Sequence, residues 1–557
     1  MTVSARAEPG RALGAAGRPG ARRAGRGLAG TWPLTRLAFR RDRIMLPAWV
    51  YLITVAVTTT AYGFAKLYPT AASRAQLVIS GGGNPALRFL YGRLNGSSIG
   101  ALTAWRYGVW AAIFGALMTV FIVIRHTRGD EEAGRLELVG SAAVGRQAAL
   151  TAGLLTAVTA NAAIAALLCI TLPVSGLPAS GSAALALAIG ASGLAFTGIA
   201  AVAAQLTSGA RSARGIAFGV LGAAYVLRAI GDSAGPAGPS WLSWSSPLGW
   251  VELTRPFAGQ RWWVLALPVA VLAAGVGAAF VLAARRDHGA GLLPDRPGPA
   301  AASGWLRGPF GLAWRLQRGM LGGWAAGAAG IFAASGAAAK GIGSLLGGST
   351  QLKHEFTRLG GQAGITNAYL AALMLLAGLA AAGYATSAVL RLRAEETGGL
   401  AEPLLATAAS RVRWGLSHLA VAVFGAAALL AVAGLAAGLG YGLRTGSAGP
   451  ELARMLGAAL AQLPASLVMA GIAVALVGLL PGAAVAGAWT ALGVVVVIDL
   501  FGQALQLSHW VLDISPFTHA PRLPGGAVSA AALLWLGLAA LAFAAVGLAG
   551  LRRRDIG

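Results

Sequence analysis

Apolar residues run along this chain in long unbroken blocks, without the alternation a half-buried strand would need, and short arginine-rich stretches separate them. Blocks of about 20 residues can cross a ~30 Å hydrocarbon layer. A backbone in lipid must satisfy its own hydrogen bonds, so blocks of this kind predict helices. They fall near 44–64, 107–124, 147–170, 182–207, 215–231 and 262–284, and again near 319–338, 367–390, 414–440, 452–480, 482–502 and 528–550. The 215–231 span is the weakest, since Arg228 and Asp232 sit at its end. The expected fold is an all-α polytopic membrane protein of about twelve transmembrane helices.

The polar interruptions repeat. EEAGRLELVGSAAVGR at 131–146 resembles EETGGLAEPLLATAASR at 395–411, and one inserted residue matches Glu131 to Glu395, Glu132 to Glu396, Gly134 to Gly398, Glu137 to Glu402 and Arg146 to Arg411. LAFRRDRIMLPAW (37–49) lines up without gaps against LAWRLQRGMLGGW (312–324), and WLSWSSPLGW (241–250) against WVLDISPFTH (510–519). Each half closes on arginines and an aspartate: Arg285, Arg286, Asp287, then Arg553, Arg554, Asp555. These landmarks predict two tandem six-helix repeats, 31–289 and 307–557, joined by a cytoplasmic linker at 290–306. An even number of spans gives both repeats one orientation, related by a pseudo-two-fold axis along the membrane normal. Residues 33–43 and 309–318 each read as a short amphipathic helix lying in the membrane interface, with a solvated basic anchor as the alternative.

Composition agrees and adds orientation. The chain is 57% hydrophobic and 11% charged, against roughly 25% charged residues in soluble domains. Its net charge of +25 could suggest nucleic acid. With the N-terminus in the cytoplasm, however, about 29 of the 43 Lys and Arg fall in inside segments, the positive-inside bias. Both termini are therefore expected in the cytoplasm, and no nucleic-acid partner is expected. Residues 1–30 read as a basic, disordered cytoplasmic arm, because no apolar core of a signal peptide precedes the first span. Cys169 is the single cysteine, so no intrachain disulfide forms.

Enzymatic chemistry is nearly absent from the pattern. There is no GxxxxGK[ST] phosphate loop, and the histidines lack metal-ligand spacing. GSSIG at 96–100 matches G-x-S-x-G formally, but it lies in an expected outer loop without the strand–turn–helix context of a nucleophile elbow. No catalytic residue, metal or cofactor is expected. With only 18 acidic residues in the chain, the duplicated acidic segments are the best functional candidates. EEAGRLEL reads as a short helix with acids in its first turn, where the macrodipole favours them. Its carboxylates could meet cationic side chains of a docked protein; a solvated loop is the plainer alternative.

The chain resembles permeases of the ABC-2 type, and among them the fused twelve-span antibiotic exporters of the tetronasin or polyketide type from actinobacteria. The resemblance covers about 31–557. It rests on EExGRLELV at 131–139, SPLGWVELTRPFAGQRWW at 246–263, SPF at 515–517 and RRRD at 552–555. It implies an exporter subunit of the bacterial plasma membrane that moves hydrophobic or amphipathic cargo. ATP and Mg²⁺ would be used by a separate ATPase, a homodimer docked beneath the membrane. The loop after the second span of each half would be a coupling helix, a role that falls on Glu131, Glu132, Gly134, Glu137, Glu395, Glu396, Gly398 and Glu402. Pro403 and Gly399 make the second copy different from the first.

The resemblance also places re-entrant outer segments before the sixth spans, which makes Trp241, Pro247, Trp250, Trp510 and Pro516 candidates for an outer gate. Interface anchoring is the competing reading of the tryptophans. Arg228 and Asp499 are costly intramembrane charges; separate snorkelling to the outer interface is expected, and a contact across the pseudo-two-fold axis is the alternative. Phe114, Met118 and Phe121 are candidates to line a substrate path, or equally to pack. The rival functions are an ion-coupled secondary transporter, which would need more ionisable residues at span centres, and a non-transporting scaffold, which leaves the paired acidic loops without a reason.

Overall fold

The computed structural model describes residues 27–135, 144–233, 239–287, 289–293, 301, 303–346, 361–502 and 507–555. Among them the chain is helical throughout and contains no β-strand. Eleven helices are long and apolar enough to cross a membrane, and a shorter apolar helix covers Ala484–Leu500. The helices are α1 (Thr31–Arg41), α2 (Met45–Leu67), α3 (Ala71–Gly82), α4 (Pro85–Tyr91), α5 (Ile99–Ile124), α6 (Ala148–Val174), α7 (Ala179–Leu206), α8 (Ala210–Ser233) and α9 (Ala266–Arg285). There follow α10 (Pro309–Leu346), α11 (Gly361–Thr397), α12 (Arg411–Thr445), α13 (Ala448–Leu460), α14 (Leu463–Leu479), α15 (Ala484–Phe501) and α16 (Ala530–Arg553). Single helical turns at Ser240–Trp244 and Gly249–Leu253 precede α9.

Serine caps start several of these helices by accepting an otherwise orphaned backbone N–H. Ser98 accepts from Ala101 before α5, Ser410 from Arg413 before α12, and Ser529 from Ala532 before α16. The GSSIG sequence is thus the start of a helix, which begins earlier than the apolar pattern predicts. Cation-rich last turns, with Arg285 in α9 and Arg552 and Arg553 in α16, suit the negative end of the helix dipole.

The chain divides into two compact units, one of residues 1–67, 98–228 and 241–296, the other of 68–97, 229–240 and 297–557. In the first, α7 is the central helix, packed on α5, α6 and α9. Its contact with α9 needs glycine on both sides: a Cβ on Gly275 would lie 2.7 Å from the Gly198 Cα. Small residues are what let membrane helices approach this closely. In the second unit α12 packs on α10, α11 and α13, while α14 pairs with α16. A Cβ on Gly471 of α14 would stand 2.8 Å from the Ala540 carbonyl oxygen. On its far side α16 leaves Leu534, Trp535, Leu538 and Leu541 exposed. That stripe would be a liability in water and is an ordinary lipid face in a bilayer.

Two expectations change, and a stretch without an expected span proves helical. The amphipathic segment at 309–318 is no separate helix but the first part of α10, whereas α1 is separated from α2 at residues 42–44. The span expected over 452–480 is divided into α13 and α14 at Ala461 and Gln462, with Pro464 starting the second piece. The stretch 68–97 forms α3 and α4, which pack on α10 and so group with the second unit.

Candidate coupling site

α5 runs past Ile124 into a π-helical turn, Arg125–Gly129, and ends in the acidic turn Asp130–Glu132. Gly134 follows in the left-handed region at φ +68°, a conformation glycine adopts without a Cβ penalty. Asp130 and Glu131 face inward, while Glu132 is exposed. Glu131 receives Arg286 Nη1 on Oε1 at 2.7 Å and Nη2 on Oε2 at 2.9 Å, and the Gly289 N–H also donates to it at 2.7 Å. Arg128, itself buried, stands 3.1 Å from the same carboxylate and donates Nε to the Ala204 carbonyl. Parallel arginine–carboxylate bonds of this kind fix geometry as well as charge. They tie the end of α5 to the end of α9. Glu132 Oε2 accepts from the Ala210 N–H at 3.0 Å, a contact at the start of α8.

The second unit carries the same strut. Glu396 receives Arg554 Nη2 at 2.6 Å, with Arg393 at 3.1 Å from the same oxygen. Arg411 donates to the Arg554 carbonyl at 2.8 Å, as Arg146 donates to the Arg286 carbonyl at 2.5 Å. Gly399 is the left-handed residue, at φ +66°. Around the turn the counterparts are 265 residues apart, from Arg128 to Arg393, Glu131 to Glu396, Gly134 to Gly399 and Arg146 to Arg411, while the closing bases Arg286 and Arg554 are 268 apart. The alignment with one inserted residue is therefore corrected. Glu131 corresponds to Glu396 and not to Glu395, Gly134 to Gly399 and not to Gly398, and no insertion is needed. The physical reason is the strut itself: a one-residue slip would turn the carboxylate away from its arginine.

Under this register Glu395 matches Asp130, and both belong to a second layer of buried polar contacts. Asp130 meets Arg41 at 2.7 Å and Arg135 at 2.9 Å, and His126, whose Nδ1 is 3.9 Å away, bonds through Nε2 to Asp42 at 2.6 Å. Glu395 meets Trp414 Nε1 at 3.2 Å, Arg391 Nε at 3.1 Å and His418 Nε2 at 3.3 Å, while His418 Nδ1 bonds to Gln317. In each unit a buried histidine links residue 42 or 317 to the acid, but it comes from the π turn after α5 in one unit and from α12 in the other.

Beside these buried contacts, some residues of each turn face outward. Among the described residues Glu132, Ala133 and Arg135 are exposed in the first unit, and Thr397, Gly398, Gly399, Leu400, Glu402 and Pro403 in the second. Glu137 lies outside the described residues.

The outer candidates divide in a similar way. Trp241 and Trp510 are exposed, while Trp250 is buried and donates Nε1 to the Trp244 carbonyl. The working residue of each Ser-Pro pair is the serine. Ser246 donates to the Ala224 carbonyl at 2.7 Å and accepts from the Leu248 N–H, while Ser515 donates to Asp499 at 2.7 Å and accepts from the Phe517 N–H. Pro247 is half-buried beside the first and Pro516 buried beside the second. Arg228 is fully buried against Glu252 at 3.4 Å, and its guanidinium stands 4.7 Å from the Tyr225 ring centroid. Arg228 thus has a carboxylate, and Asp499 a donor, within its own unit. Met118 has no exposed surface, and Phe121 packs edge-on against Phe218 at 5.4 Å, so both act as packing residues here; Phe114 packs against the same core.

Sequence reasoning missed the partners more than the acids. Arg286 and Arg554 stand in the repeated Arg-Arg-Asp closings, and a repeated base at the end of each half was the available signal for a repeated acid. Nothing in the pattern marks His126 and His418, which occupy non-equivalent positions.

Eleven candidate spans, with acid–arginine struts tying the helix ends together, define a multi-pass helical membrane protein. The C-terminal part, residues 306–552, matches the family described as multidrug efflux system permease Rv1217c, C-terminal domain. The chain is 42% identical over 543 residues to the multidrug efflux system permease protein Rv1217c of Mycobacterium tuberculosis (strain ATCC 25618 / H37Rv), covering 97% of this chain and 98% of that protein. It belongs to that family of efflux permeases.

Proposed function

We propose that this chain is the membrane subunit of an ATP-driven exporter of the ABC-2 type, moving hydrophobic or amphipathic drug-like compounds out of the cell with a separate ATPase. On this reading twelve spans form two six-helix repeats related by a two-fold axis along the membrane normal, with both termini in the cytoplasm. The observation that carries it is the strut found twice, Glu131–Arg286 and Glu396–Arg554. Each strut stiffens the turn after α5 or α11 and leaves a short outward segment beside it. A push on that segment would pass to the last helix of its own unit without first deforming a loose loop.

The docking role moves accordingly from the buried acids to their exposed neighbours. Glu131, Glu395 and Glu396 act as internal braces, Gly134 and Gly399 shape the turn, and Glu132, Arg135, Leu400 and Glu402 meet the ATPase. The two contacts are unequal, because Arg135 in one unit is matched by the 61% exposed Leu400 in the other. The Mycobacterium tuberculosis relative is named a multidrug efflux system permease, which supports drug efflux as the task. Co-expression with the cognate ATPase tests the docking. Arg135→Glu together with Leu400→Asp should abolish co-purification while the permease still reaches the membrane. Undiminished co-purification would refute the assignment.

A further inference from the structure

The face of α1 turned away from its unit carries Trp32, Arg36, Leu37 and Arg40, followed by Arg43 and Ile44, all exposed. Its inner face is Thr35 and Ala38, continued by Asp42, all buried. Among the described residues Arg36, Arg40 and Arg43 have no side-chain hydrogen bond or ion pair, whereas the neighbouring Arg41 is committed to Asp130. The beginning of α10 repeats the layout. Phe310, Arg315 and Arg318 are exposed, Ala313 and Gln317 are buried, and neither arginine has a described partner. In the ungapped match of 37–49 with 312–324, Arg40 and Arg43 correspond to Arg315 and Arg318, and Asp42 to Gln317.

We propose that these two faces bind the headgroups of anionic phospholipids of the cytoplasmic leaflet. The cytoplasmic placement rests on the orientation proposed above. Unpaired arginines interleaved with tryptophan, leucine, isoleucine and phenylalanine suit α1 lying in the interface and the first turns of α10 entering it, with apolar side chains among acyl chains and guanidinium groups at phosphate depth. An acidic protein surface would use the arginines but leave Trp32, which is 71% exposed, and Ile44, which is 75% exposed, in water. The same helices carry the inner ends of the polar layer: Asp42 bonds to His126 and Gln317 to His418. A bound headgroup therefore fixes a helix whose opposite face holds the histidine beside Asp130 or Glu395.

The test needs neither ATPase nor cargo, so its outcome is separate from that of the efflux reading. The full-length chain in mild detergent is titrated with dioleoylphosphatidylglycerol or dioleoylphosphatidylcholine, and retained lipid is counted by native mass spectrometry. Each arginine near an anionic surface is worth about a fivefold change in binding, so a preference for phosphatidylglycerol of about tenfold or more is expected. The variant with Arg36, Arg40, Arg43, Arg315 and Arg318 all changed to Gln should lose it. The corresponding lysine variant should keep it, which separates charge from misfolding. Equal retention of the two lipids by the unaltered chain would overturn the proposal. So would a Gln variant that keeps the lipid preference, since the arginines would then not carry it.

Discussion

The Glu131 carboxylate takes both terminal nitrogens of Arg286, at 2.7 and 2.9 Å, and so joins the turn after α5 to the end of α9. Little of either side chain is exposed, 9% for the acid and 12% for the base. Removing one partner leaves a largely desolvated charge, which costs roughly 3–5 kcal/mol in buried pairs. Arg286→Ala should lower thermal stability by an amount toward the bottom of that range, since Arg128 also faces Glu131. Adding Glu131→Gln should restore part of the loss. Thermal unfolding of the single and double variants in one detergent measures the coupling, and additive losses would contradict a direct strut.

The corrected register makes a separate prediction. Gly399 sits at φ +66° and Gly134 at φ +68°, where a side chain costs about 1 kcal/mol or more. Gly398 is not in that region. Gly399→Ala should therefore weaken ATPase co-purification and stability more than Gly398→Ala does. The opposite order would restore the alignment that pairs Gly134 with Gly398.

Much of the fold is legible in the chain, because block length and arginine placement depend on the bilayer and not on neighbours. Local chemistry is less legible where two helices share a decision. The break between α13 and α14 lies inside one apolar block, and the joining of 309–318 to α10 depends on its surroundings. The acids were recognisable as repeated, yet their direction was not. Whether Glu131 faces a partner protein or Arg286, distant in sequence, is settled by packing. His126 and His418 had no periodic signal, since they reach equivalent acids from different helices.

At the start of α5, the Phe257 ring occupies the space left by the missing side chains of Gly100 and Gly181, and its backbone is strained at φ +63°. A methyl group at Gly181 would overlap that ring. Gly181→Ala should destabilise the chain by roughly 1–3 kcal/mol, as overpacking does, and Phe257→Leu in the same chain should recover much of it. Comparable unfolding temperatures for Gly181→Ala and the unaltered chain would contradict this seat.

The buried Arg228 contacts Glu252. Arg228→Glu should impair transport severely, and the exchange Arg228→Glu with Glu252→Arg should recover more of it than Arg228→Asp with Asp499→Arg. Dye efflux from cells measures both. Better recovery through Asp499 would favour a contact between those two residues.

The central claim is that external ATP hydrolysis drives this permease through the two outward segments. It is tested most directly by dye transport in inverted membrane vesicles that contain the chain and its ATPase. Uptake should require ATP, vanish with an ATPase unable to hydrolyse it, and persist when an uncoupler collapses the proton gradient. Transport that continues without the ATPase and follows the proton gradient would contradict the account.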